Sequence, residues 1–173
     1  MFFRPISTLA LIAFASLATG CAANGAIKTV QDPFNGPQRA FARYLDDGHF
    51  TAVGMSEGGG KFSIQVLTVM RGQARTLGAI GDKSLFKLGD ETVTLAASND
   101  AKPVANANQY EIFTQWMVLF APTREEFLKF AHAPLTAVKL TVGDATFQLP
   151  LSSADSELIM KNAAILAGEA TAK

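Results

Sequence analysis

The sequence predicts a mainly β chain, an antiparallel β-sandwich or a partly closed barrel, and three observations carry that expectation. From Gln38 to Leu149 the apolar residues recur in short runs of period two, cut by Gly, Asp and Asn, the pattern of half-buried antiparallel strands. Helical signals are confined to a short stretch near 124–132 and a C-terminal one near 153–167. Strands do not alternate with helices as a parallel βαβ sheet requires.

The elements follow in order. Asp32 to Pro37, DPFNGP, is turn chemistry. Gln38 to Leu45 fits a strand or two helical turns, and Asp47-Gly48 beyond it favours the strand, because Asp-Gly is a strong hairpin signal. His49 to Met55 is then the returning strand, with GMSEGGG, 54–60, as a mobile connection. Lys61 to Met70 is the plainest strand, with Phe62, Ile64, Val66 and Thr68 on one face and Ser63, Gln65, Leu67 and Val69 on the other. Weaker strands are expected at Ala74 to Ile80, Ser84 to Leu88 and Thr92 to Ala97, with glycines supplying positive φ in the turns between them. Asn99 to Gln109 reads as a long polar loop.

Tyr110 to Ala121 puts Tyr110, Ile112, Thr114, Trp116, Val118 and Phe120 on one face of a central strand, and Pro122 ends it. Thr123 to Glu126 is a capping box, which starts a helix that stops near His132, before Pro134. In LTAVKLTVGDATFQLPL, Val138, Leu140 and Val142 alternate inward, Gly143-Asp144 turns the chain, and Phe147 and Leu149 return inward. Ser152 or Ser153 caps the last helix, which runs to about Ala167 with Leu158, Ile159, Ile165 and Leu166 on its apolar face; Gly168 stops it.

The first residues concern location. Arg4 precedes an apolar run from about Ile6 to Ala18, too short for a stable membrane span and shaped like a secretory signal. The run ends in Ala18-Thr19-Gly20-Cys21, which resembles the lipobox of bacterial lipoproteins, with Ala18 where that family prefers Leu. The resemblance implies a signal peptide over 1–20, lipidation of Cys21 and a lipidated tether over 21–30; the remainder, 31–173, shows no composition shift or long linker and reads as a single β-rich domain. Ala22 after the cysteine implies the outer membrane, facing the periplasm. Cys21 is the only cysteine, and lipidation would occupy a thiol otherwise left free in an exported chain. Acyl chains contribute about 0.8 kcal/mol per buried methylene, so three of them would hold a protein firmly at a membrane. The alternative is cleavage near Ala23 to give a soluble periplasmic protein. The opening KTVQDPFNGP and the closing order of strand, TREEFLKFA helix, hairpin and last helix resemble small uncharacterised envelope lipoproteins of β-sandwich type, a resemblance that implies no particular activity.

Chemistry is sparse. Without Arg4 the chain has 14 basic and 15 acidic residues, so no strong field draws it to nucleic acid. Gly54-Met55-Ser56-Glu57-Gly58 fits the G-x-S-x-G of serine hydrolases, but three glycines and a strand follow where a nucleophile elbow needs a helix. A turn with a solvated Ser56 is the better expectation, and GGGK also fails the spacing of a phosphate loop. His49 and His132 lie far apart and outside any zinc spacing, and His132 is explained by a helix C-terminus. Arg39 with Arg43, and Arg71 with Arg75, are spaced for a solvated face or a basic patch for lipid headgroups. Trp116 and the 13 Phe residues make a core, or line a ligand cavity. The resulting expectation is a lipid-anchored protein with a non-enzymatic binding or structural role and no cofactor, metal or nucleic acid. Its partners would be a membrane and, as a candidate, another envelope protein. The alternatives are a carrier of a small hydrophobic ligand and, less favoured, a serine hydrolase at Ser56.

Overall fold

A computed structural model describes residues 25–32, 36–46, 50–71, 83–98, 104–107, 112–142 and 145–170. The strands are β1 (Lys28–Asp32), β2 (Gly36–Asp46), β3 (Phe50–Gly58), β4 (Lys61–Arg71), β5 (Lys83–Leu88), β6 (Glu91–Ala96), β7 (Val104–Ala107), β8 (Ile112–Phe120), β9 (Leu135–Val142) and β10 (Ala145–Pro150). The helices are α1 (Arg124–His132) and α2 (Ser153–Ala167). The chain is mainly β, as the alternation predicts. Among the described residues the strands form a six-stranded sheet, order β1-β2-β3-β4-β8-β7, and a four-stranded sheet, order β10-β9-β5-β6. Neighbours pair antiparallel throughout.

The sheets face each other and nearly join along one side. Past the end of β6, Ala97 bridges to Phe120, and the Ser98 N–H and hydroxyl both donate to the Leu119 carbonyl, at 2.7 and 3.0 Å. α1 closes the end of the interior where β8 finishes. Its capping box forms as the sequence predicts, the Thr123 hydroxyl accepting from the Glu126 N–H and the Glu126 carboxylate from the Thr123 N–H. That orientation drives Phe127 and Phe130 inward. Phe127 stacks on Phe62, with centroids 4.4 Å apart, and Phe86 meets Phe120 and Phe130 edge-on at 5.1 and 5.5 Å. Lys129, on the outer side, reaches Glu91 of β6.

α2 closes the remaining side, lying against β2, β3 and β9 and packing on α1. Its last turn carries no basic residue of its own, so its free carbonyls and negative end need help from elsewhere. Arg39 of β2 supplies most of it, donating from Nη2 to the Leu166 carbonyl at 2.9 Å and from Nη1 to that of Ile165 at 3.3 Å. Its Nε and Nη2 also meet the Glu57 carboxylate on β3. Arg124, whose guanidinium lies 5.9 Å from the Phe62 ring, donates to the Ala167 carbonyl at 3.1 Å. Gly168, at φ 81°, ends the helix with N–H contacts to Ala164 and Ile165, and the Glu169 N–H reaches back to Ala164. This is the left-handed close that glycine permits.

The other end of α2 is tied as firmly. Ser152 caps it, and Asp155 accepts from the Ser152 hydroxyl at 2.7 Å and from Arg43 Nε at 2.5 Å. The buried Ser156 hydroxyl donates to the Leu135 carbonyl at 2.6 Å, and Asn162 donates to the Gly25 carbonyl at 2.6 Å while the Gly25 N–H reaches Ala42. A side chain at Gly25 would strike Leu158. The segment expected as a tether thus joins the domain from Gly25.

Three expectations need correction. β1 was not foreseen, because KTVQD is short and polar; it is held by the Lys28↔Ala40 to Asp32↔Gly36 ladder. β7 lies inside the expected loop 99–109, where VANA has little strand propensity and gains its place by pairing with β8. β3 runs to Gly58, so only Gly59-Gly60 turns the hairpin. The strand expected at 74–80 and the turn residues 47–49 and 143–144 lie outside the described residues.

Asp155 generates a pH prediction. Burial raises its carboxyl pKa, but the Ser152 hydroxyl and the Arg43 guanidinium outweigh that and hold it below its ordinary value. Its contribution is therefore present above the unfolded value of about 3.9 and lost as pH falls through the lower folded value. The melting temperature of Asp155→Asn should fall short of wild type at pH 6, and the gap should narrow below about pH 4. A gap of constant size across that range would contradict the account.

Candidate functional site

The sequence candidates are dispersed by the fold. Ser56 sits within β3, half-buried and opposite Ser63, with the two hydroxyl oxygens 2.7 Å apart. It lies in a strand and not in a loop, contrary to expectation, because β3 continues past it, and its half-buried side chain faces its partner across the ladder. Glu57 beside it accepts from Arg39 and from the Gly60 N–H. His132, exposed at the end of α1, has Nε2 2.6 Å from the Glu169 carboxylate. Ser56 and His132 are thus held by different partners. Cys21, His49 and Arg75 lie outside the described residues, as does the side chain of Arg71. Arg39 and Arg43 do share a face, as their spacing predicts, but form neither a solvated face nor a headgroup patch. Each is half-buried and paired, with Glu57 and Asp155 respectively.

Among the described residues no three His, Cys, Asp or Glu side chains gather as a metal site, and no helix is long and apolar enough to cross a membrane. The distinctive chemistry lies inside the domain, at the end away from α1. Register on the large sheet pairs Val66 with Val118 and Ile64 with Phe120 toward α1, and Thr68 with Trp116 and Met70 with Thr114 away from it. The interior thus changes along its length, from aromatic rings near α1 to hydroxyls and one indole. The Thr51 and Thr68 oxygens are 3.5 Å apart, at the limit of a hydrogen bond.

The small sheet contributes to the same end. Ser84 lies two residues along β5 from Phe86, which pairs with Val138 of β9. Leu140, two residues further along β9, pairs with Phe147. The Phe147 ring packs on Trp116 with centroids 5.9 Å apart. Trp116 and Ser84 are fully buried and Thr114 is 2% exposed, yet among the described residues Trp116 Nε1, Thr114 Oγ1 and Ser84 Oγ have no hydrogen-bond partner.

An unsatisfied buried donor or acceptor costs about 1–3 kcal/mol. Native structures contain few, each usually answered by ordered water or ligand. Three of them lie on facing sheets toward the end of the described core away from α1. The sequence carries the signal, since Thr68 and Thr114 fall on the inward phase of otherwise apolar strands. Ser84 gives no such hint until its strand is placed opposite Trp116. Comparison with protein-family models, curated proteins and solved structures yields no match.

Removing the Ser56 hydroxyl should cost one hydrogen bond, about 0.5–1.5 kcal/mol. Ser56→Ala and Ser63→Ala should destabilise similarly, with a double variant no worse than either alone. An active-site probe for serine hydrolases should leave Ser56 unmodified. Labelling that disappears in Ser56→Ala and weakens in His132→Ala would restore the hydrolase alternative.

Proposed function

We propose that this chain is a lipid-anchored protein of a bacterial envelope whose β-domain binds rather than catalyses. The observation that carries the anchoring is the string Ala18-Thr19-Gly20-Cys21 at the end of an apolar run, with the chain's only cysteine in the acceptor position. Ala22 directs the reading to the outer membrane, facing the periplasm. A non-catalytic role is supported by the pairing of the Ser56 hydroxyl with Ser63 and of His132 with Glu169. Another envelope protein is one partner that such a tethered domain would serve.

Three buried polar groups without a partner among the described residues, Trp116 Nε1, Thr114 Oγ1 and Ser84 Oγ, favour one form of this function over a purely structural one, namely carriage of a small molecule inside the domain. A bound molecule would supply the hydrogen bonds that the interior lacks, and its release would return their cost. Anchoring and carriage are compatible, because the acyl chains would leave the interior free.

Anchoring is tested by labelling. Cells fed radioactive palmitate should incorporate label into the wild-type chain and none into Cys21→Ser, and intact-mass measurement should show the diacylglyceryl and acyl additions on wild type only. Equal labelling and equal mass would refute the lipid anchor.

A further inference from the structure

Resting on the reading of Cys21 as the site of a lipid anchor, we infer that the short span between that residue and the domain seats the flank of α2 beside Gly25 on the phospholipid headgroups. Gly25 is clamped between β2 and α2. Its N–H donates to the Ala42 carbonyl at 2.8 Å, its carbonyl accepts from the Asn162 amide at 2.6 Å, and a side chain on it would strike Leu158. Asn162 is 5% exposed, so breaking its bond to Gly25 would leave a buried donor unsatisfied. Ala22, Ala23 and Asn24 alone separate Cys21 from this clamp, and the steps from 21 to 25 span at most about 14 Å. Acyl chains on Cys21 would hold the other end at the bilayer. With both ends held, Gly25 and the elements that clamp it stay within about 14 Å of the lipid attachment.

The clamp also selects the face. Leu158, which abuts Gly25, has Ala154 and Lys161 as its neighbours four residues before and three after on the helix surface, and both are exposed. Glu157 is exposed beside them, and Ala26 is exposed directly after the clamp. A cation and an anion among small side chains suit the phosphate and ammonium groups of zwitterionic headgroups, and they offer the acyl layer no large apolar patch to bury. The opposite side of the domain stands clear of the lipid. Gly25 lies beside β2 on the line of β1, whereas β6 is an edge strand of the small sheet whose following residue, Ala97, bridges to β8. The line of β1 is separated from β8 by β2, β3 and β4, about 19 Å at the usual strand spacing. The domain is thus held with α2 toward the membrane and β6 away from it.

Cys21 is the only cysteine, so once it is acylated a cysteine introduced elsewhere is the sole thiol open to a fluorophore. Ala154→Cys and Thr94→Cys, both at exposed positions, would be labelled in the lipidated protein. Each would be reconstituted in vesicles of phosphatidylethanolamine and phosphatidylcholine that carry a nitroxide on their headgroups. The label at position 154 should lose most of its emission to the nitroxide, and the label at position 94 should keep its own. Ala26→Cys, also exposed, gives a second near-side position should Ala154→Cys fail to fold. Inserting about twelve Gly and Ser residues between Ala23 and Asn24 lengthens the reach by roughly 40 Å. The two labels should then be quenched alike. Equal quenching without the insertion, or a difference that survives it, would overturn seating by a short tether. Acyl additions missing from the intact mass of the same sample would remove the anchor itself and the seating with it, which separates failure of the lipoprotein reading from failure of the seating alone.

Discussion

The guanidinium of Arg39 joins more of this domain than any other group described here. It leaves β2 on the inner face of the large sheet, meets Glu57 on the next strand, and donates to the Ile165 and Leu166 carbonyls at the last turn of α2. Four elements therefore depend on one side chain: β2 and β3 for its position, α2 for the end of its helix, and the small sheet for the cover that α2 provides. The pairing also solves an electrostatic problem, since a helix with no cation of its own in its last turn presents unsatisfied carbonyls to a largely apolar interface. Arg124 and Gly168 complete the same end. Arg43 and Asp155 do the corresponding work at the other end, so the four-residue spacing of the arginines matches the need to hold a helix at two points along a strand.

With one side closed by α2 and one end by α1, the interior is asymmetric. Near α1, Phe62, Phe86, Phe120, Phe127 and Phe130 fill space with ring contacts, which need no hydrogen bonds. Away from α1 the same strands carry Thr68, Thr114 and Trp116, and the facing sheet carries Ser84. Residues chosen only for stability would be apolar in those places, because an orphan hydroxyl lowers stability where a valine of the same shape would not. Function tends to occupy the places where such local rules are broken. The Trp116 end breaks them, whereas the Ser56 hydroxyl is paired with that of Ser63.

Much of this architecture was legible in the sequence because its signals are local. The capping box at Thr123, the Gly168 stop and the alternation of Phe62, Ile64, Val66 and Thr68 each specify structure within a few residues, and each is found where expected. Two strands were missed because their place depends on partners: KTVQD and VANA have weak propensity and become strands by lying beside β2 and β8. The arginine pair was legible as a shared face but not as a clamp, since its counterparts, Asp155 and the Ile165 and Leu166 carbonyls, lie more than a hundred residues away in sequence. The buried polar groups of Ser84, Thr114 and Trp116 were illegible for the same reason: they stand on strands that the sequence does not pair, and whether a threonine has a partner is a property of the assembled core.

The central structural claim is that α2 is an integral wall of the domain, held by Arg39, and native-state hydrogen exchange measures this most directly. In the wild type, amides of α2 from about Ile159 to Ala167 should exchange with the same opening free energy as those of β3 and β4, because helix and sheet unfold as one cooperative unit. In Arg39→Ala the helix should open on its own, its protection falling well below that of β4. If the α2 amides exchange far faster than those of β4 in the wild type, or if Arg39→Ala leaves the two equally protected, the helix is not held as described.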